Sequence, residues 1–334
     1  MQRVLITGAL GYLGQIVLKR LQQDLLQGRI AALVAMDIKT MSPRTLPVNQ
    51  HYVQADIRDK NIAGYLEKYN ITTVIHLAAI IDSQSSSREF QYEVDVLGTK
   101  NILEACLKTG VQRIIISSSG AAYGYHEDNS PWLTENDPLR GNEIFAYSAH
   151  KRLVEEMLAG YRLHHPQLEQ TVFRVCTILG ATTQNLITNL FDKKQVLGLR
   201  HHLSPYVFIW DEDVADCLHQ AVFSKKTGVY NLAGDGAICN ADLAKLLNKR
   251  YLELPVPLLK AALTVGHRLG LTQYGPSQLL FIQYRPVLDN QKLKQEFGFT
   301  PQKTSLETFI YYRRMQKKPV YAQADVTILY PDKD

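Results

Sequence analysis

The sequence predicts a doubly wound α/β fold: a parallel sheet covered on both faces by helices, with a smaller C-terminal α/β module. Three observations carry that prediction. Short runs that are apolar throughout alternate with segments of helical spacing over the first half of the chain, as strands buried on both faces and joined by crossover helices require. Gly8, Gly11 and Gly14 form a G-x-x-G-x-x-G turn between the first such strand and the first helix. An acid, Asp37, closes the second strand.

Each element follows in turn. "RVLITGA" (3–9) is a β-branched apolar run, and "GQIVLKRLQQDLL" (14–26) repeats apolar residues at helical spacing. "AALVAMD" (31–37), "HYVQADI" (51–57) and "TVIHLAA" (73–79) are the second to fourth strands. A helix near 90–109 leads to the strand "RIIISSS" (113–119), and another helix spans 147–164. From about residue 174 the regularity weakens. "YVFIWD" (206–211) and "GVYNLAG" (228–234) are expected strands, with helices at 240–251, 256–271 and 289–299. The apolar helix "VPLLKAALTVGHRLGL" (256–271) is read as domain core in preference to a greasy pocket wall or a membrane-surface helix. Residues 319–334 are polar without period and read as a tail.

Composition narrows the function classes. The chain has 334 residues, 46% hydrophobic and 21% charged, the make-up of an ordinary globular protein. A net charge of +5 with no basic stripe among aromatics gives nucleic-acid binding no support. Cys106, Cys176, Cys217 and Cys239 lack metal or redox spacing and point to packed, reduced thiols. The first strand starts too early for a signal peptide, and no apolar run reaches the roughly 18 residues of a membrane span. A cytoplasmic protein with a small-molecule ligand and no metal is the expectation.

The glycine turn specifies the ligand class. It aims backbone N–H groups and a helix N-terminus at a pyrophosphate, and glycine removes the Cβ that would block the approach. Asp37 can accept from the adenosine ribose hydroxyls and would repel a 2′-phosphate, favouring NAD; Lys39 and Arg44 just beyond soften that preference. Asp56, after the third strand, suits the adenine amino group or a helix N-cap. Tyr147 and Lys151 stand four apart on one helix face. That spacing alone does not separate a catalytic pair from two neighbours.

The ordered motifs "TGALGYLG", "ADIRD", "VIHLAA", "VLGTKNILEAC", "SSSGAAYG", "LTENDP", "YSAHK", "FIWDEDVADCLHQAV" and "GVYNLAGDG" decide between them. Over roughly residues 2–312 the chain resembles the extended short-chain dehydrogenase/reductases, the family of NAD-dependent epimerases and dehydratases that includes UDP-glucose 4-epimerase. The resemblance implies a Rossmann NAD-binding domain over 1–173 and a substrate-binding domain over 174–318, with segments near 206–234 returning to the Rossmann core. It implies NAD contacts from Gly8, Gly11, Tyr12, Leu13, Gly14, Asp37, Asp56, Ile57, Leu77, Ala78, Ala79, Tyr147 and Lys151. Ser119, Tyr147 and Lys151 would be catalytic. Tyr147 would take a proton from a substrate hydroxyl as hydride passes to C4 of NAD, with Ser119 on the same oxygen. A free tyrosine ionises near pH 10, so a neighbouring ammonium is needed to favour the phenolate. Helices near 95–109 and 147–164 would form a homodimer interface.

Departures from the family limit the substrate. In "RVCTILGA", Arg174 and Gly180 are kept, but Thr177 stands for an asparagine and Ala181 for a proline. Tyr206 stands where nucleotide-sugar enzymes commonly carry a pyrophosphate-binding arginine. Lys193, Lys194, Arg200, His201 and His202 make the 181–205 loop basic, for an anionic substrate or for solvent. Asp95 replaces the usual asparagine, and His150 replaces a serine on a side away from the Tyr–Lys pair. Gln84, Ser119, Thr177 and Arg285 are the candidate substrate contacts; for Arg285 a structural salt bridge is the alternative. The chemistry expected is redox at a secondary alcohol or ketone carbon of a sugar or nucleotide sugar. The alternatives are a dehydrogenase or ketoreductase acting on an apolar, 3β-hydroxysteroid-like substrate, and a non-catalytic dinucleotide sensor.

Overall fold

Val4 and Ile6 enter one apolar layer and Leu5 the other, the two-residue period of a strand buried on both faces. The same alternation recurs in Leu33/Val34, Val74/Ile75 and Ile114/Ile115. These runs stack as one sheet in the computed structural model, which describes residues 1–41, 46–80, 86–270, 275–323 and 325–331.

The chain begins β1 (Arg3–Thr7), α1 (Tyr12–Leu26), β2 (Ala32–Asp37), β3 (Gln50–Gln54), α2 (Ile62–Lys68) and β4 (Thr73–His76). α3 (Arg88–Tyr92) passes through a π-wound turn, Glu93–Gly98, into α4 (Thr99–Thr109), followed by β5 (Arg113–Ser119), α5 (Ala146–His164) and β6 (Glu169–Val175). The second half adds β7 (Thr177–Leu179), α6 (Leu186–Phe191), β8 (Gln195–Leu199), β9 (Phe208–Trp210), α7 (Asp211–Phe223) and β10 (Gly228–Leu232). It ends with β11 (Ala237–Ile238), α8 (Asn240–Leu247), β12 (Arg250–Leu254), α9 (Val256–Arg268), α10 (Leu280–Gln283), α11 (Ser305–Met315) and β13 (Ile328–Leu329).

Seven strands pair in the order β10–β6–β5–β4–β1–β2–β3, every pairing parallel. Chain order reverses between β1 and β4, and a ligand crevice opens at the carboxyl ends of strands at such a reversal. α1 and α7 cover one face through Val17, Leu21, Val214 and Leu218; α2, α4 and α5 cover the other through Leu66, Leu103 and Leu158. Burial of each such side chain contributes roughly 1.5–3 kcal/mol. A third cluster lies outside the sheet, where Phe191, Tyr206, Phe208 and Phe309 pack with centroids 5.1 to 5.9 Å apart.

Four expectations need correction. The 240–251 helix stops at Leu247, because Asn248 takes a left-handed conformation (φ 49°) and the chain turns into β12, parallel to β8. The 289–299 helix is present but shorter, over 291–297, with Leu293–Phe297 π-wound and Gly298 ending it at φ 81°. The tail is not free throughout: β13 returns to pair antiparallel with β11. The apolar 256–271 helix is not core, since α9 buries none of its residues.

Candidate functional site

Tyr147 opens α5 beside the end of β5, and several polar ties fix its helix there. Ser148 Oγ donates to the Ala121 carbonyl at 2.7 Å and accepts from the Asn142 N–H at 3.0 Å. Glu155 receives Ser118 Oγ at 2.6 Å and the Arg174 guanidinium at 2.8 Å, all three groups buried. Arg174 also donates to Tyr123 at 2.8 Å. The arginine kept from the family pattern therefore braces α5 against β6. Lys151, 8% exposed, donates to the Ser117 carbonyl at 3.2 Å and holds its ammonium 5.6 Å from the Tyr147 ring centroid. Ser119 lies two residues further along β5, where its hydroxyl accepts from the Ala121 N–H at 3.1 Å.

Behind Lys151 lies a polar cluster that the sequence did not reveal as one. The π-wound turn carries Asp95, whose Oδ1 accepts from the Ile80 N–H at 2.8 Å. Its Oδ2 faces His150 Nδ1 at 3.7 Å; both residues are buried, and neither atom has a hydrogen-bond partner among the described residues. His150, to which the sequence assigned no chemistry, meets the other departure from the family pattern. His76 shares hydrogen bonds with Thr7 at 2.8 Å and Thr99 at 3.0 Å. Burial, then the Lys151 charge, push its imidazole down to about 3, against Asp95, so it stays neutral. His76, Asp95, Thr99, Ser117 and Lys151 border a cavity of about 10 Å³, the lower limit for one water.

The dinucleotide residues converge on the β1–β4 reversal. Gly8 has φ +67°, and a Cβ there would lie 2.8 Å from the Ala78 nitrogen; a Cβ on Gly14 would lie 2.2 Å from the Gly8 carbonyl oxygen. A side chain at either position would collide with backbone, so the turn closes tightly only with glycine there. Gly11 N-caps α1 without a side-chain bond, which leaves the helix N-terminus to an anion. Asp37 accepts from the Leu10 and Lys39 N–H groups at 2.8 and 3.0 Å and keeps lone pairs for ribose hydroxyls. The residues thus fit a dinucleotide. Leu77 and Ala78 follow β4 against Thr7, with Ala79 next in the chain, and Ile57 is buried beside Gly98. Asp56 is not the N-cap of α2. Arg58 grips it at 2.8 Å and holds its carboxyl below the usual range, and Arg58 itself had no sequence signal.

Tyr12 reaches beyond the cofactor turn. Its hydroxyl donates to Asp211 at 2.5 Å and shares a hydrogen bond with Thr183 at 2.9 Å, tying the turn to residues some 200 positions later. Burial and then Asp211 raise the Tyr12 phenol. Leu13 packs against the apolar layer under α1.

On the substrate side, Thr177 is half-buried in β7, paired with Phe208. Among the described residues Arg285 makes no ion pair; its guanidinium stacks 3.5 Å over the Tyr206 ring, and its buried Nη1 has no hydrogen-bond partner there. A cation thus lies beside Tyr206, where the sequence lacks one. Burial raises the phenol of Tyr125, which Arg285 lowers and Tyr147 raises, so both lie within electrostatic reach of Tyr125. Tyr125, Phe145 and Phe281 form a wall with centroids 4.1 to 5.8 Å apart. Lys193, Lys194, Arg200 and His201 face solvent. Gln84 and Arg44 lie outside the described residues.

The model of a family described as "NAD dependent epimerase/dehydratase family" matches residues 4–233. A putative UDP-glucose 4-epimerase of Methanocaldococcus jannaschii is 29% identical over 180 residues, 53% of this chain and 56% of that protein. A 3beta-hydroxysteroid-dehydrogenase/decarboxylase isoform 2 of Arabidopsis thaliana is 25% identical over 283 residues, 75% of this chain and 49% of that one. Among solved structures, a Thermus thermophilus UDP-glucose 4-epimerase complex with NAD superposes with TM-score 0.67 and 22% identity, covering 93% of this chain and 99% of that one.

Proposed function

The chain belongs to the NAD-dependent epimerase/dehydratase family of extended short-chain dehydrogenase/reductases, and on that premise we propose that it uses Tyr147 to move a proton at a secondary alcohol or ketone carbon of a sugar or nucleotide sugar. NAD, when bound, supplies the hydride acceptor at that carbon. Gly8, Gly11 and Gly14 close the tight turn that presents the α1 N-terminus to its pyrophosphate, and Asp37 accepts from its adenosine ribose. The Lys151 ammonium, 5.6 Å from the Tyr147 ring centroid, stabilises negative charge developing on the phenol oxygen. Ser119, at the end of β5, offers a second hydrogen bond to the substrate oxygen. Residues 1–173 form the NAD-binding part and 174–318 most of the substrate part, in a cytoplasmic homodimer.

The observation that carries the substrate class is Arg285. A half-buried guanidinium whose buried Nη1 has no hydrogen-bond partner among the described residues, in reach of the residue that also senses Tyr147, suits an anionic group such as a phosphate. Thermal-shift titration of the NAD-loaded protein with nucleotide sugars tests this. Stabilisation that Arg285→Gln removes is the expected result; stabilisation by apolar ketones alone, unchanged in that variant, would sink it. The aromatic wall of Tyr125, Phe145 and Phe281 favours a second reading, a dehydrogenase acting on an apolar substrate. NAD released in stoichiometric amount on denaturation separates the two, since an epimerase regenerates and retains its cofactor.

A further inference from the structure

We propose that α9 docks this protein on an anionic lipid surface. The helix reads VPLLKAALTVGHR, yet none of its 13 residues is buried. Leu258 is 58% exposed, Val265 56%, and Leu269, just past the end, 66%. At about 100° per residue, Leu258, Ala262, Val265 and Leu269 fall on one narrow stripe. Val256, Leu259, Leu263 and Gly266, which are half-covered, lie on another side. An exposed apolar stripe set about 110° round the helix from the half-covered one is open to an interface.

Charge says what meets the stripe. From Pro255 to Leu288 the chain contains no Asp or Glu, while Lys260, Arg268 and Arg285 fall within it. Lys260 and Arg268 are exposed on α9 itself. A second copy of the chain seated on this face about a two-fold axis would bring like charges together, with no acid in the segment to offset them. An anionic bilayer offers an apolar layer for the leucines and negative headgroups for the cations, Arg268 at the flank of the stripe and Lys260 on the polar side of the helix. Among the described residues no helix is long and apolar enough to cross a membrane, so α9 lies in the plane of the surface. α9 packs against the 3-10 turn Pro276–Leu279, which leads into α10, whose Phe281 packs 4.1 Å from Phe145, two residues before Tyr147. The helix therefore neighbours an element of the site wall, and the proposal stands whichever alcohol the site oxidises.

Flotation of the full chain, loaded with NAD, tests it with two vesicle types, phosphatidylcholine alone and phosphatidylcholine mixed with phosphatidylglycerol. The protein is expected to float with the phosphatidylglycerol vesicles and to come off as salt is raised. Leu258→Glu with Val265→Glu should weaken partitioning by at least about tenfold while NAD binding is kept. Lys260→Gln with Arg268→Gln should lower it by about tenfold and remove most of the salt dependence; this pair keeps the test readable if the glutamate pair does not fold. Absence of flotation by the parent, or flotation by both double variants equal to the parent's, overturns the proposal. So does a parent that stays off vesicles but forms a dimer that the glutamate pair dissociates, which would assign the face to a second copy.

Discussion

α5 and α9 invert the usual assignment of residues to inside and outside. α5 buries Ser148, His150, Lys151 and Glu155, while the apolar α9 buries nothing. Composition therefore did not choose the buried helix; the available partners did. Each charge that α5 takes inside meets a fixed group: Lys151 the Ser117 carbonyl, Glu155 the Arg174 guanidinium. A buried charge is tolerated only with such partners. α9 follows β12, outside the seven-stranded sheet, and among the described residues no second layer closes over it.

Tyr147→Phe is the variant that should break the comparison hardest. It keeps the packing of α5 and removes the proton carrier, so single-turnover rates on a genuine substrate should fall by about a hundredfold or more, with unfolding unchanged. Next comes Glu155→Gln. Leaving Arg174 buried and unpaired should cost about 3–5 kcal/mol in urea unfolding, and Glu155→Met with Arg174→Met should recover part of it.

His76 gives a pH signature. Its folded-state value of about 3 lies below the unfolded value near 6.5, so the unfolded chain binds the extra proton between them. The stability that goes with a neutral His76 is complete above about pH 6.5 and is lost as pH falls toward 3. The slope should approach about 1.4 kcal/mol per pH unit inside that window. Comparing unfolding midpoints of the parent and His76→Gln from pH 7 to pH 5 isolates it; parallel curves would rule the assignment out. The smallest effect belongs to α9, where Leu258→Ser should change stability by no more than about 0.5 kcal/mol. A larger loss would mean that α9 is packed after all.

What the sequence made legible was local or periodic. The apolar runs of β1, β2, β4 and β5, the glycine turn and the four-residue step from Tyr147 to Lys151 are all properties of short stretches. What it hid lay in contacts between distant positions. Asp95 and His150 were two separate oddities until the π-wound turn set them 3.7 Å apart. Arg285 and Tyr206 read as a spare cation and a missing one, and only folding stacks the first on the second. No periodicity links Tyr12 to Asp211. The helix expected over 240–251 failed for a local reason, because the left-handed Asn248 outweighed the helical spacing around it.

The π-wound turn between α3 and α4 has a consequence for what lengths this helix can take. Removing one residue from Glu93–Gly98 would return the i→i+5 turn to an i→i+4 turn and leave α3 and α4 nearly on the faces they now hold. The extra residue is what sets Asp95 out of ordinary helical register, onto the Ile80 N–H and toward His150. A single deletion there is therefore expected to displace Asp95 while both helices keep their apolar contacts and the sheet stays folded.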